Sequence, residues 1–236
     1  MSHSRKLSNA LAAFVLIIAL PAPSQAVPII TEILADPASG LAGDANGDGI
    51  RDTYDDEFIE FINLSPIEID ISNWTLSDSV SVRHVFPSAT LVPSGGTVVV
   101  YGGGTPTDIP GLVFTATTGS LSLNNGGDNI VLRDGSTIIA NLSYGAEAGN
   151  NESLTRYPSF TGDFVRHSLV PGAIDALFSP GTSATGMPYV LEPQPIESPI
   201  TAVPEPATLV LLIAGMIGLT LCRKPTPLAT RCTVEE

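Results

Sequence analysis

The sequence predicts an all-β protein whose strands pack as a β-sandwich. Two observations carry this reading. Between residues 28 and about 180, short runs rich in Ile, Val, Thr and aromatic residues alternate with clusters of Gly, Pro, Asn and Asp. No stretch in that region sustains a 3.6-residue apolar period, so any helices are short. Many short strands at such spacing are the pattern of two packed sheets.

In chain order, the first segment is not part of that domain. Arg5 and Lys6 precede the apolar run ALAAFVLIIAL, and PAPSQA follows. A basic start, an apolar stretch and a small-residue ending read as a secretory signal peptide over 1–26, cut after Ala26. Pro21 and Pro23 break the helix before the cut. The expected strands are then PIITEILA, EFIEFIN, IEIDI, WTLSD, TVVVYG, SLSL, NIVLRD and TIIANLSY. The turns PSGG, NNGGD and Asp134-Gly135 separate them, and SLSLNNGGDNIVLRDGSTIIANLSY reads as a three-stranded meander. Trp74 and Leu76 alternate onto one face, which makes Trp74 a core anchor, with carbohydrate stacking as its other conceivable role. From Gly186 the composition turns Pro-rich, so 186–202 reads as an extended linker.

Charge narrows the function classes. Residues 27–202 contain five arginines, no lysine and 21 acidic residues, a net charge of −16. Such a surface repels nucleic-acid phosphates and attracts divalent cations, so no nucleic-acid partner is expected. The two cysteines, Cys222 and Cys232, lie beyond this region. The exported part therefore lacks disulfides, thiolate metal sites and a cysteine nucleophile.

Several spaced blocks resemble the bacterial lamin-tail domain. They are PIITEILADP, DEFIEFINLSPIEIDISNWTLSD, VFPSATLVPSGGTVVVYGGG, LSLNNGGDNIVLRDGSTIIANLSYG and ESLTRYPSFTGDFVRHSLVPGAIDALFSPGTSATG, in the family's order over 28–185. The resemblance implies an immunoglobulin-like β-sandwich. It also implies a non-catalytic module of a secreted or surface protein.

Between the first two blocks lies DANGDGIRDTYDD. Read as a twelve-residue calcium loop over 44–55, it puts Asp44, Asn46 and Asp48 at positions 1, 3 and 5. Gly49 sits at the sharp turn, the Ile50 carbonyl at position 7, Asp52 at 9 and Asp55 at 12. This spacing is similar to dockerin and thrombospondin-type calcium loops. Asp stands at position 12 where an EF-hand has Glu, so Asp56 or Glu57 are alternatives to Asp55 as the last ligand. Six acidic residues between 44 and 57 repel one another unless a cation neutralises them. Ca²⁺ is the expected cofactor, at an extracellular-type affinity of about 10⁻⁴ to 10⁻³ M. Glu57 and Glu60 alternate across the strand EFIEFIN, so one of them meets an apolar layer unless a bulge intervenes. With Glu32 they form either a second cation site or a buried polar cluster.

No catalytic constellation stands out: there is no Gly-x-Ser-x-Gly, His-Glu-x-x-His or Walker-type loop. His84 is expected on a strand surface beside Arg83, and His167 near the end of the domain. No catalytic residue is therefore assigned. The alternative is a calcium-dependent hydrolase using carboxylates such as Asp56, Glu57 and Glu60.

The C-terminal segment VPEPATLVLLIAGMIGLTLCRK, 203–224, combines Pro204, Glu205 and Pro206 with an apolar run from Ala207 to Cys222, then Arg223 and Lys224. Its sixteen apolar or small residues span about 24 Å as a helix, against a hydrocarbon core of about 30 Å. The basic pair places 225–236 in the cytoplasm as a short tail. The order of elements closely resembles the PEP-CTERM sorting signal, which in that family is read and removed by the membrane protease-transpeptidase exosortase in bacteria that make extracellular polysaccharide. By resemblance, Pro204, Glu205 and Pro206 are the recognition residues, and the transmembrane helix 207–222 holds the protein transiently. A plain membrane-anchored adhesion module is the alternative. The expectation is an exported, non-enzymatic cell-surface or matrix protein, with polysaccharide or other surface proteins as possible partners.

Overall fold

A computed structural model of the chain describes residues 28–173 and 176–189. The signal peptide, the sorting segment and the tail lie outside the described residues, as do Ala26, Pro204, Glu205, Pro206, Arg223 and Lys224. Twelve strands and three short 3₁₀ turns are present, with no α-helix among the described residues. None of the described elements is a helix long and apolar enough to cross a membrane.

A six-stranded sheet contains β1 (Ile29–Leu34), β2 (Phe58–Ile62), β7 (Thr97–Tyr101), β8 (Leu112–Thr115), β11 (Leu154–Tyr157) and β12 (Asp163–Arg166). Their order is β12-β11-β1-β2-β7-β8. A four-stranded sheet, β10-β9-β4-β5, contains β4 (Thr75–Ser77), β5 (Val82–Val85), β9 (Asp128–Asp134) and β10 (Thr137–Tyr144). A two-stranded ribbon joins β3 (Ile69–Asp70) to β6 (Leu91–Val92). All pairings are antiparallel except β7 with β8, which run parallel.

The core lies between the two larger sheets. Ile33, Ile59, Phe61, Val98 and Val100 from the six-stranded sheet meet Leu76, Ile130, Leu132, Leu142 and Tyr144 from the other. Trp74 is 9% exposed and sits in this cluster, as its alternation with Leu76 predicts. Phe86 closes the core with edge-on contacts to Phe61 and Phe114 at 5.8 and 5.4 Å between centroids. His84 is buried among these rings, 4.5 Å from Phe86. The surface position expected for it is thus corrected: the register of β5 turns His84 inward with Leu76, its partner across β4.

The other face of the six-stranded sheet is also buried. Leu34, Phe58, Val99 and Tyr101 form a second cluster there with Ala45, and Ile109, Val113 and Phe178 pack against it. No third sheet supplies that cover. The loop after β1, the crossover 102–111 and residues after 176 do so instead. The crossover joins two parallel strands without a helix. Gly102 makes a close approach possible: a methyl there would run into the Tyr54 carbonyl oxygen, and its own N–H donates to Glu57 O at 2.8 Å.

The expected meander is a hairpin. SLSL forms no strand, because Ser122 takes a positive φ of 53°, although Leu121 and Leu123 are buried. Strands β5, β6, β8, β11 and β12 are additions to the expected set. Tyr189, within the stretch read as linker, packs its ring 5.5 Å from Phe160.

β1 bonds β2 on one edge and β11 on the other. A chain ending at Tyr144 would leave β1 with an unpaired edge, Glu32 without a hydrogen-bond donor and Glu60 with Thr31 alone. We expect such a chain to show no cooperative urea transition by near-UV circular dichroism. A sigmoidal transition at the full-length midpoint would overturn the role given to β11 and the residues beyond it.

Candidate functional site

The acidic loop folds as a series of turns in which side-chain oxygens accept backbone N–H groups. Asp44 Oδ2 accepts from Gly49 at 2.9 Å, Asn46 Oδ1 from Asp48 at 3.0 Å and Asp48 Oδ1 from Ile50 at 2.9 Å. Short Asx side chains do this readily, and the spacing of alternate Asx residues makes the turns repeat. Gly49 has φ +85°, as its expected place at the sharp turn requires. Asp48 Oδ2 also accepts from Thr105 N at 3.0 Å, and Thr107 N donates to Asn46 O at 2.9 Å. The loop is thereby fastened to the crossover 102–111. A side chain at Gly104 would strike Asn46 and Asp48, and one at Gly103 would strike Asp55, so these three groups gather against a glycine wall.

Asp56 has a different task from its neighbours. It is fully buried, and its Oδ1 accepts from Ala45 N at 2.8 Å and Asn46 N at 3.1 Å. Its Oδ2 accepts from Asp52 N at 2.8 Å. One carboxylate thus closes the loop from both ends, a role the sequence left as an alternative calcium ligand. Burial pushes its pKa up, against the opposing pull of those three N–H groups. Asp55 is also pushed up, by burial and then by the charges of Asp52 and Asp48. Asp52 is held down by the N–H groups of Tyr54 and Asp55. Asp44 Oδ1 is buried and has no hydrogen-bond partner. The Ile50 side chain is exposed. Among the described residues, no group of three or more His, Cys, Asp and Glu side chains is arranged to hold a metal ion. Arg51 is the one base in the loop, and its donors go to Ala38 O, Pro37 O and Thr53 rather than to a carboxylate.

The three strand glutamates separate into two places. Glu57 is buried, and its Oε2 accepts from Leu123 N at 3.1 Å. Burial raises it to about 8. Glu32 and Glu60 are directly opposite in the β1–β2 register. A bulge at Thr31 sets this up: Ile30 pairs with Phe61 and Glu32 with Glu60, two residues advancing against one. The bulge puts Thr31 on the same side as both carboxyls, and its Oγ1 donates to Glu60 Oε1 at 2.6 Å. Glu60 also accepts from Gly181 N at 2.5 Å and Tyr189 Oη at 2.8 Å. Glu32 accepts from Ser153 Oγ at 2.5 Å and from Ser179 N and Oγ at 2.8 and 2.7 Å. The polar cluster foreseen as one possibility is therefore built from Glu32 and Glu60, while Glu57 joins a separate network. Sequence alternation could flag Glu60 as facing an apolar layer. It could not reveal the covering residues, because they lie more than 100 positions away.

His84 and His167 are both buried with no hydrogen-bond partner at either ring nitrogen, and burial lowers both pKa values. Asp56, Glu57 and Glu60, the carboxylates considered for hydrolysis, are each buried and each bonded within its own surroundings.

The role of Asp56 can be measured. Asp56→Ala leaves two buried N–H donors and one part-buried donor without an acceptor, and we expect a loss of about 3 kcal/mol in urea unfolding. Asp56→Asn keeps an acceptor and should lose clearly less. Equal losses would mean that the carboxylate does not organise the loop.

Comparison with known proteins gives two family matches. No curated protein matches the chain. The PEP-CTERM protein-sorting motif matches residues 202–224, which marks the protein for export and sorting to the cell surface, with exosortase as the processing enzyme. The second match carries the two-sheet unit: the family model described as Lamin Tail Domain covers residues 21–146, more than half of the 236 residues, and the chain belongs to that family.

Proposed function

We propose that this is a non-catalytic surface or matrix module, an immunoglobulin-like sandwich steadied by calcium and delivered through its sorting signal. The observation that carries the reading is the sorting-motif match at 202–224 behind a folded β unit. A module whose acidic groups are spent on its own backbone supports a binding or structural role rather than turnover. The Pro-rich residues between Tyr189 and Val203 would hold the module away from the membrane during processing. The apolar segment 207–222 would serve as a temporary anchor, removed near Pro204, Glu205 and Pro206. Partners of the displayed module would be extracellular polysaccharide or other surface proteins.

Calcium would take its oxygens from Asp44, Asn46, Asp48, Asp52 and Asp55, with the Ile50 carbonyl. The turns are already formed, and the unpartnered Asp44 Oδ1 supports a cation ligand at position 1. Asp55 is raised by burial and then by the charges of Asp52 and Asp48, and a cation nearby would relieve that repulsion. Since Asp44, Asn46, Asp48 and Asp52 now hold backbone N–H groups, binding would need them to share or exchange those partners.

Two measurements test the reading. Mass spectrometry of the mature protein should find a C-terminus near Pro204 to Ala207, and an intact Glu236 would sink the processing step. At a calcium level ten to a hundred times a Kd of about 10⁻⁴ to 10⁻³ M, the bound state should gain about 1.4–2.7 kcal/mol. For a domain of this size that raises Tm by roughly 3–10 °C. Asp44→Ala with Asp48→Ala should abolish the rise. If wild-type Tm is the same in calcium and in chelator, the calcium assignment fails.

A further inference from the structure

Glu32 and Glu60 are a pair of carboxyl groups sealed under one short segment of chain. Both are fully buried, and they face each other across β1 and β2. Residues 178–189 lie over them as a strap. Ser179, Gly181 and Tyr189 together give the pair four of its six hydrogen bonds. Phe178 pins the start of the strap edge-on against Phe58, 6.4 Å away.

Among the described residues, no side-chain cation pairs with either carboxyl. The ion pairs among the described residues are Arg83–Asp78 and Arg166–Glu152, neither at this place. The other ionisable groups near it are the phenols of Tyr101 on β7 and Tyr189 on the strap. The nearest charges of β11 and its approach are committed elsewhere. Arg156 donates to Ile30 O and lies 4.4 Å over the Phe164 ring, while Glu152 accepts from Ser168 N. Two buried like charges without a counter-ion are mutually exclusive at this range, so the closed arrangement holds at least one proton. Burial raises both groups, and the Glu32 charge adds to the rise at Glu60.

We propose that Glu32 and Glu60 form a proton-operated latch that keeps residues 178–189 closed on the six-stranded sheet and releases them under alkaline conditions while the sandwich stays folded. The sign follows from linkage. The closed state binds more protons than the open one once pH exceeds the ordinary carboxylate range, so closure weakens as pH rises. In the open state the strap no longer donates to the pair, and water takes the place of Ser179, Gly181 and Tyr189. Release has a mechanical consequence, which rests on the sorting reading given above. Freeing 179–189 lengthens the tether between sandwich and sorting motif by up to about 35 Å.

Hydrogen exchange on the full-length protein tests the latch separately from the sorting signal, because it does not depend on processing. From about pH 6, protection of the Ser179 and Gly181 amides, corrected for intrinsic rates, should fall by up to about tenfold per pH unit as far as the titration and level off above it by about pH 9. Amides of β2 and β7 should keep their protection. The double variant Glu32→Gln with Glu60→Gln, which mimics the protonated pair, should keep the strap protected throughout. Should that variant not fold, infrared titration of the wild type gives a second reading: a buried protonated carboxyl band present near pH 6 and lost on alkalinisation. Unchanged wild-type strap protection, equal loss in the double variant, or no such band would each overturn the proposal. An uncleaved C-terminus together with a titrating strap would leave the latch standing and remove only its effect on the tether.

Discussion

A sheet buried on both faces needs cover on both, and the described residues offer only one other large sheet. That constraint organises the rest of the molecule. The inner face of the six-stranded sheet meets the four-stranded sheet in the usual alternation of apolar side chains. The outer face carries Leu34, Phe58, Val99 and Tyr101, which are as buried as the core. Irregular segments must therefore lie flat on it, and irregular backbone brings polar groups that need partners. Asp56, Asn46, Asp48, Glu32 and Glu60 supply those partners. The acidic loop, the glycine-walled crossover and the strap are three solutions to one covering problem.

The chemistry of these solutions follows from composition. With five arginines and no lysine between residues 27 and 202, carboxylates cannot be neutralised mainly by ion pairs. The Arg83–Asp78 contact at 2.6 Å is an exception, and it closes the β4–β5 turn. Elsewhere carboxyl groups are stabilised by N–H and O–H donors, which favour the ionised form, or they keep a proton where burial outweighs those donors. The loop carboxylates hold backbone turns. Glu32, Glu60 and Glu57 fall under the second description, since burial is the largest influence on each. The same shortage of cations thus leaves the loop carboxylates to backbone N–H groups and the strand glutamates to burial.

The strands that alternate strictly and end at Gly, Asn or Asp were legible in the sequence, and so was Trp74 as a core residue. Those signals are local. β8 was not legible, because LVFT is short and its parallel pairing with β7 is set by a crossover packing on Ile109 and Val113. SLSL failed for the opposite reason. It alternates like a strand, but Ser122 at φ 53° turns the backbone out of any ladder. His84 was misplaced because a polar residue beside Arg83 reads as surface, whereas aromatic contacts with Phe86 and Phe114 hold it inside. In the loop, the spacing foresaw the sharp turn at Gly49, while the side-chain turns at Asp44, Asn46 and Asp48 were read only as ligand positions. The burial of Asp56 was not foreseeable, since it depends on chain closure over ten residues.

The family match ends at residue 146, yet the fold does not. β11 pairs with β1 through Glu32↔Thr155 and Ile33↔Leu154, so the first strand of the matched region is central only because of a later one. The strap then returns to the same strand and ends at Tyr189 on Glu60. An acid in the middle of β2 is a poor choice for a strand covered by apolar groups alone, but a sound one for a strand covered by backbone N–H, hydroxyl and phenol donors. Glu32 and Glu60 therefore make sense only together with residues 153 and 179–189. Their presence within β1 and β2 ties the matched part of the chain to the part beyond it.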